Sequence, residues 1–390
     1  MFYVVGGGKE MPKLFNVMLG NKLKAVRDKL GMTLEEVAQK MGFNSYQTLS
    51  SIEEGRRMVK AVELAKLSKI YFRDMKYFLN EEIEQDQDQP VLWRAYSGDA
   101  KVKQREGTFI KFCEHYSDLE FKLAIDSKPK INFLTWQVGD FNYDSIAGLA
   151  NNLRNELQLG ARPACSLAKV LEEKCNIKIL FLDLENYGSA ASTVGKFGAA
   201  ILINSSEPSW RRNYDLAHEL FHIITWNTFP YDTIHSFAEE KPLVEKWADA
   251  FASYLLLPGE EISREFNKNV EDNKISLLDL IGIAREFEVS LDALLWSLVN
   301  LRFFSRQIVR KILNDPEVKT LDFSGQKKET TPYLSRRYFN LALKAYKKTL
   351  ISKGRLCEYL NINRADLGKI LKEYGYSVGE EIYETKFALA

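Results

Sequence analysis

The stretch RNYDLAHELFHIITW, from Arg212 to Trp226, places Asp215, His218, Glu219 and His222 at steps of three, one and three. On a helix of 3.6 residues per turn these four share one stripe. The other positions of its second half are almost all apolar, so the stripe is a polar line on a greasy helix. Carried unpaired into a core, each such group costs several kcal/mol, so the four need partners. Two imidazoles one turn apart can chelate a single ion, and the carboxylate beside them can take a proton from an attacking water. This H-E-x-x-H spacing is that of zinc hydrolysis. Two histidines packed in an ordinary core are the bland alternative. Composition speaks against it, because the 390 residues contain four histidines and two of them fall here.

Hydrolytic zinc sites use three protein groups, so a third ligand must come from elsewhere. Downstream, in VEKWADAFASYLLLP, residues Val244, Trp247, Ala248, Phe251 and Leu255 form an apolar face and Pro258 a stop. Glu245 and Asp249 lie one turn apart on the other side. That lets Glu245 bind the ion while Asp249 holds a histidine by its ring N–H. His235 is the rival ligand, but its segment FPYDTIHSFAEE looks like a loop, and a helix fixes geometry better. Zinc is the expected ion, although two histidines and a glutamate also admit manganese. The oxyanion of peptide hydrolysis needs further donors, for which His235, Tyr214 and Tyr231 are candidates.

At these residues a family resemblance emerges. INSSEPSWRRNYDLAHELFHIITW followed by EKWADAFASYLLLP is similar to the ImmA/IrrE zinc metallopeptidases, whose second helix carries E-x-x-A-(N/D)-x-F-A-x-x-L-L-x-P. Glu245, Ala248, Asp249, Phe251, Ala252, Leu255, Leu256 and Pro258 fill that pattern here. The resemblance extends from about Ile146 to Phe303. It implies zinc ligation by His218, His222 and Glu245, with Glu219 as the catalytic acid/base. It also implies cleavage of helix-turn-helix repressor proteins, which switches on stress-response or mobile-element genes. Two positions depart from the family: Phe221 stands where Gly is frequent, which would narrow the site, and Asp249 where Asn is common.

The elements that must position this site follow from the flanking pattern. IAGLANNLRNELQL and SLAKVLEEKCN read as amphipathic helices. IKILFLDL and FGAAILINSS read as strands, separated by the turn-rich ENYGSAASTVGK. GAAILINS offers an edge to which an extended peptide could add. A small sheet ahead of the H-E-x-x-H helix makes this an α+β domain.

Further upstream, short amphipathic helices run from Leu19 to Leu79. Thr33 caps LEEVAQKM with Glu36 at the capping-box position, Gly42 closes that helix, and SYQTLSSIEEG follows. LKAVRDKLGMTLEEVAQKMGFNSYQTLSSIEEGRR resembles the helix-turn-helix domain of XRE regulators. By that resemblance Ser45, Tyr46, Gln47 and Ser50 face bases, with Gln47 suited to adenine. From Asn21 to Lys76 there are twelve Lys/Arg against seven Asp/Glu, an excess that suits phosphate contact. NEEIEQDQDQP (Asn80 to Pro90) has five acidic residues and reads as a linker. Near the other end, SKGRLCEYLNINRADLGKIL resembles a small helix-turn-helix and reads as a regulatory or docking element.

The expected fold is therefore multidomain and mainly α: an all-α helix-turn-helix, a central α+β zincin-like metallopeptidase with a small sheet, and a helical C-terminal region. The boundaries are a leader over 1–18, the helix-turn-helix over 19–80, an acidic linker over 81–93, a helical connector over 94–145, the peptidase over 146–303 and the final region over 304–390. A formal net charge of +1 gives no global pull toward nucleic acid or membrane. Cys113, Cys165, Cys175 and Cys357 are scattered without C-x-x-C spacing, which suits free thiols in a cytoplasmic protein. The partners expected are a protein substrate of the helix-turn-helix repressor kind, double-stranded DNA, no membrane, and a second copy in a homodimer. The competing functions are a transcriptional regulator or antitoxin-like protein whose metal site is structural or sensory, and a protein-interaction module that never meets DNA.

Overall fold

The computed structural model describes residues 10–79, 91–94, 100–229, 242–316, 318, 334–378 and 382–384. The chain divides into two compact units, the first holding 1–88 and 96–114, the second 89–95 and 115–390. The acidic stretch Asn80–Pro90 lies outside the described residues.

In the first unit, α1 (Glu10–Lys29), α2 (Leu34–Met41), α3 (Tyr46–Glu53), α4 (Ala61–Ile70) and α5 (Met75–Leu79) enclose a core that includes Leu23, Val37, Leu49, Leu67 and Phe78. Thr33 caps α2 in a reciprocal capping box with Glu36, and Gly42 ends it with a φ of 76°, a conformation that glycine adopts without Cβ strain. Ser45 caps α3 by accepting from the Gln47 amide at 3.1 Å. Gly20 lets α1 meet α3: a Cβ there would stand 2.4 Å from the Glu53 carbonyl oxygen. The same contact buries an ion pair, in which Arg27 Nε and Nη2 donate to Glu53 at 2.7 and 2.9 Å.

The long helix α6 (Ala100–Lys122) supplies residues to both units, those from His115 onward belonging to the second. The second unit is built around a four-stranded sheet in the order β1 (Leu92–Arg94), β3 (Ala190–Gly195), β4 (Gly198–Asn204), β2 (Lys178–Leu182). β3 and β4 form an antiparallel hairpin in which Gly195 faces Gly198, and β2 runs parallel to β4 with Ile179 opposite Ile201. Two strands of this sheet escaped the sequence reading. The segment read as turn-rich contains β3, whose Ala190, Ala191, Ser192 and Thr193 are buried; small side chains allow a helix to lie close on that strand but give no strong β pattern. β1 is three residues long, too short for alternation to show. A further correction concerns peptide addition at GAAILINS: β4 is an interior strand flanked by β3 and β2, and the outer edge of β3 is paired with β1, so β4 has no open edge.

Helices α7 (Tyr143–Leu157) and α8 (Ala164–Glu173) precede the sheet's main strands, and α9 (Ser209–Ile224) follows them and packs on β3 and β4. α10 (Leu243–Leu256) packs against both α7 and α9. α11 (Gly259–Lys268), α12 (Leu277–Glu286), α13 (Leu291–Asn300) and α14 (Arg306–Asn314) complete this part. α15 (Arg336–Lys347), α16 (Lys353–Tyr359) and α17 (Leu367–Glu373) lead into an antiparallel hairpin of β5 (Tyr376–Val378) and β6 (Ile382–Glu384) that the sequence reading did not foresee. The four cysteines are free thiols. Among the described residues no helix is long and apolar enough to cross a membrane.

Candidate metal centre

Pro208 starts α9, and from Asp215 to Ile224 every residue of that helix is buried. The apolar ones enter the main core, and the polar stripe is buried with them: Asp215, His218, Glu219 and His222 are all at most 4% exposed. α10 supplies what the stripe needs. Its apolar face, with Trp247, Phe251 and Leu255, packs into the same core and leaves Glu245 and Asp249 one turn apart beside the two imidazoles.

The geometry is convergent. His218 Nε2 and His222 Nε2 lie 3.1 Å apart. Glu245 places Oε2 3.2 Å from the first and Oε1 3.1 Å from the second. On the far side of the ring, His218 Nδ1 is 2.9 Å from Asp249 Oδ1. A carboxylate at that distance accepts a proton from Nδ1 and so turns Nε2 toward Glu245. Burial pushes the Glu245 carboxyl upward, but hydrogen bonding from His218 and His222 and their charge outweigh it and hold it well below the usual carboxylate range.

The two ring nitrogens and the two oxygens of one carboxylate, at contacts of 3.1–3.2 Å, converge on one point, which suits a cation. His218, His222 and Glu245 are thus a group that could hold a metal ion. Glu219, the next residue along from His218, is 1% exposed. His222 Nδ1 is buried with no hydrogen-bond partner among the described residues.

The remaining site residues divide. Tyr214 donates its hydroxyl to the Asp249 carbonyl oxygen at 2.8 Å. This bond ties α9 to α10. Tyr231 and His235 lie outside the described residues. Phe221 does not narrow a cleft: it is fully buried, with its ring 5.5 Å from Phe251 and 6.2 Å from Phe141. Arg211 was overlooked. It reaches to 3.5 Å from Asp215, and the four-residue spacing of opposite charges on one helix was the signal that pointed to it. On α3, Tyr46 and Gln47 are exposed and Ser45 and Ser50 half-buried. Ser45 bonds the Gln47 side chain, and Ser50 donates to Glu54 at 2.8 Å.

Comparison with known families accords with both halves of this picture. Residues 172–298 match the model of the IrrE N-terminal-like domain, a peptidase family, and residues 23–78 match a helix-turn-helix model. The chain carries an IrrE-like metallopeptidase domain and a helix-turn-helix DNA-binding domain. The IrrE-like match includes His218, Glu219, His222, Glu245 and Asp249, and with the convergent group it points to a metallopeptidase. No curated protein is similar enough to the chain to count as a match.

Proposed function

We propose that the chain is a zinc-dependent endopeptidase joined to a DNA-binding domain, and that it cuts a helix-turn-helix repressor protein. The observation that carries the reading is the meeting of His218 Nε2, His222 Nε2 and both Glu245 oxygens within about hydrogen-bond distance, with Asp249 2.9 Å behind the His218 ring. In this reading His218, His222 and Glu245 hold zinc, which supplies Lewis-acid polarisation of the scissile carbonyl and acidifies water. Glu219 takes the proton of the attacking water and returns it to the leaving amine. Asp249 keeps His218 in the tautomer whose Nε2 faces the ion. On the DNA-binding side, Tyr46, Gln47 and Ser50 meet base edges, and Ser45 sets the start of the reading helix. A repressor substrate is supported by the helix-turn-helix domain in the same chain, which can bring the enzyme to the operator or pair with a repressor of its own kind.

The test uses the purified chain and Glu219→Gln, both with metal content measured, incubated with helix-turn-helix repressors encoded beside its gene. Products are read by mass spectrometry. Cleavage by the native chain and none by a variant holding equal metal is the expected result. Equal cleavage by both removes Glu219 from the mechanism. Absence of cleavage by the metal-loaded native chain, with DNA binding intact, favours a regulator with a structural or sensory ion.

A further inference from the structure

The three C-terminal helices repeat the helix-turn pattern of the N-terminal domain. In the first unit Thr33 caps α2, its side chain accepting from the amide three residues on at 3.1 Å. Val37, Ala38 and Met41 are buried, and Gly42, nine residues after the cap, takes the left-handed conformation. Ser352 caps α16 in the same way at 3.2 Å. Leu356, Cys357 and Leu360 are buried at the same offsets, and Asn361, again nine residues after the cap, has a φ of 52°. The turns close alike: Phe43 N donates to Ala38 O at 2.9 Å, and Ile362 N to Cys357 O at 3.0 Å. The match extends into the preceding helix, where buried Leu19, Leu23, Val26 and Met32 correspond in spacing to Tyr338, Ala342, Ala345 and Ile351. Such agreement in cap, core and turn places α17 after the turn, where α3 stands in the N-terminal domain.

The surface differs from that of the N-terminal domain in a telling way. Between Ser335 and Tyr376 there are ten Lys/Arg and three Asp/Glu, and one of the acids, Glu358, is paired with Arg355 at 2.8 Å. Lys347, Lys348, Lys353, Arg364, Lys369 and Lys372 are exposed. Arg364 lies in the turn before α17, and Lys369 and Lys372 lie on α17 itself. Between them is Gly368, where an added Cβ would meet nothing within 4 Å, so a ligand can approach the backbone closely. The hairpin β5–β6 follows α17 directly.

We propose that residues 335–378 form a second DNA-binding head, distinct from the N-terminal helix-turn-helix, which takes double-stranded DNA. Arg364, Lys369 and Lys372 on and before α17 meet the phosphates flanking a groove. Lys347, Lys348 and Lys353 extend the contact along the backbone. The head is fixed to the IrrE-like unit: Arg337 of α15 donates to Tyr116 at 2.9 Å and pairs with Glu120 at 2.9 Å, and Leu334 bridges to Leu180 of β2. DNA held here is therefore held by the peptidase body.

The test is fluorescence anisotropy of the full chain with a labelled mixed-sequence duplex of about two helical turns, titrated across salt. The native chain is compared with Arg364→Gln/Lys369→Gln/Lys372→Gln and with Gln47→Ala/Ser50→Ala, each first checked for native circular dichroism. The C-terminal triple variant is expected to bind at least tenfold more weakly, with the slope of log affinity against log salt reduced by about two to three, at about 0.9 per phosphate lost. Loss in the triple variant alone upholds the second head and shows that it carries the binding to this duplex. Loss in both upholds both. An unchanged affinity and slope in the triple variant overturns the second head, whatever the N-terminal variant does. Tighter binding of the native chain to a single-stranded RNA of equal length, lost in the triple variant, overturns it in favour of RNA.

Discussion

Replacing Asp249 by Ala removes the acceptor that holds His218 while leaving in place the three residues proposed to hold the ion, His218, His222 and Glu245. The lost contact is 2.9 Å long, and the Asp249 side chain is 31% exposed. Removing such an outer partner of a ligating histidine weakens metal binding by about 10–100-fold. Partial solvent access screens the carboxylate charge, so the lower part of that range applies here: about 10–30-fold, or about 1.4–2 kcal/mol at 1.36 kcal/mol per decade. Asp249→Asn keeps an oxygen that accepts from His218 Nδ1 and loses only the charge. Its affinity should fall by only about three- to fivefold, since a neutral acceptor retains roughly half of a charge-assisted bond. The assay is competition for zinc against a chromophoric chelator, with thermal unfolding in excess chelator as the control for folding. The Tyr214 hydroxyl bonds the Asp249 backbone carbonyl and not its side chain, so the seam between α9 and α10 survives either change. If Asp249→Ala binds zinc as tightly as the native chain, the tautomer argument is wrong. An Asn variant as weak as the Ala variant would show that charge, and not the fixed proton, is what matters.

Three other outcomes follow from the structure. Burial pushes the Glu172 carboxyl up from 4.5 to about 7, against hydrogen bonds from Ser335 and Tyr116 and the charge of Arg337. A folded-state value above the unfolded one means the native chain holds the extra proton, so this group's contribution is most favourable below about pH 4.5 and is lost as pH rises through about 7; the loss totals about 3 kcal/mol, and Glu172→Gln should flatten the chain's urea midpoint over that interval. Gly20→Ala would set a Cβ 2.4 Å from the Glu53 carbonyl and force α1 from α3, a loss of about 1–3 kcal/mol of overpacking strain measured by thermal melting of the helix-turn-helix domain. Chelation should lower the melting temperature of the IrrE-like domain, because zinc free at about 100 times its Kd adds about 2.7 kcal/mol by mass action, and His222→Ala should abolish the difference between the two conditions.

How much of this could be read without coordinates depended on the local signal of each element. α9 announced itself because four polar residues on a greasy helix fix both its period and its buried face. α10 did so because Glu245 and Asp249 interrupt an otherwise apolar pattern at one-turn spacing. α2 carried a full capping box and a Gly42 stop. β3 stayed hidden because Ala190, Ala191 and Ser192 carry little β preference in themselves; they are a strand because β4 pairs with them and α9 covers them. β1 depends wholly on its partner, since Leu92, Trp93 and Arg94 pair with residues about a hundred positions later. Such non-local pairing leaves no periodic trace. The bond from Tyr214 to Asp249 was illegible for a related reason: only the docking of α10 brings the Asp249 carbonyl to the tyrosine hydroxyl.

The same dependence explains why a chain keeps so polar a stripe in its core. His218, Glu219 and His222 come from α9, but His218 and His222 find Glu245, and His218 finds Asp249, only when α10 docks. Trp247 and Phe251 drive that docking, being buried against Phe141, Phe221 and Phe229. Apolar burial of rings of this size stabilises by about 1.5–3 kcal/mol each, enough to offset the desolvation of a hydrogen-bonded imidazole. Metal affinity and the docking of α10 are then one linked equilibrium. Phe251→Ala, which removes no candidate ligand, should weaken zinc binding as well as lower stability, and its stability deficit should persist or grow as zinc is raised. A variant with lower stability and undiminished zinc affinity would show that the ligands on α10 are held in place without its aromatic face.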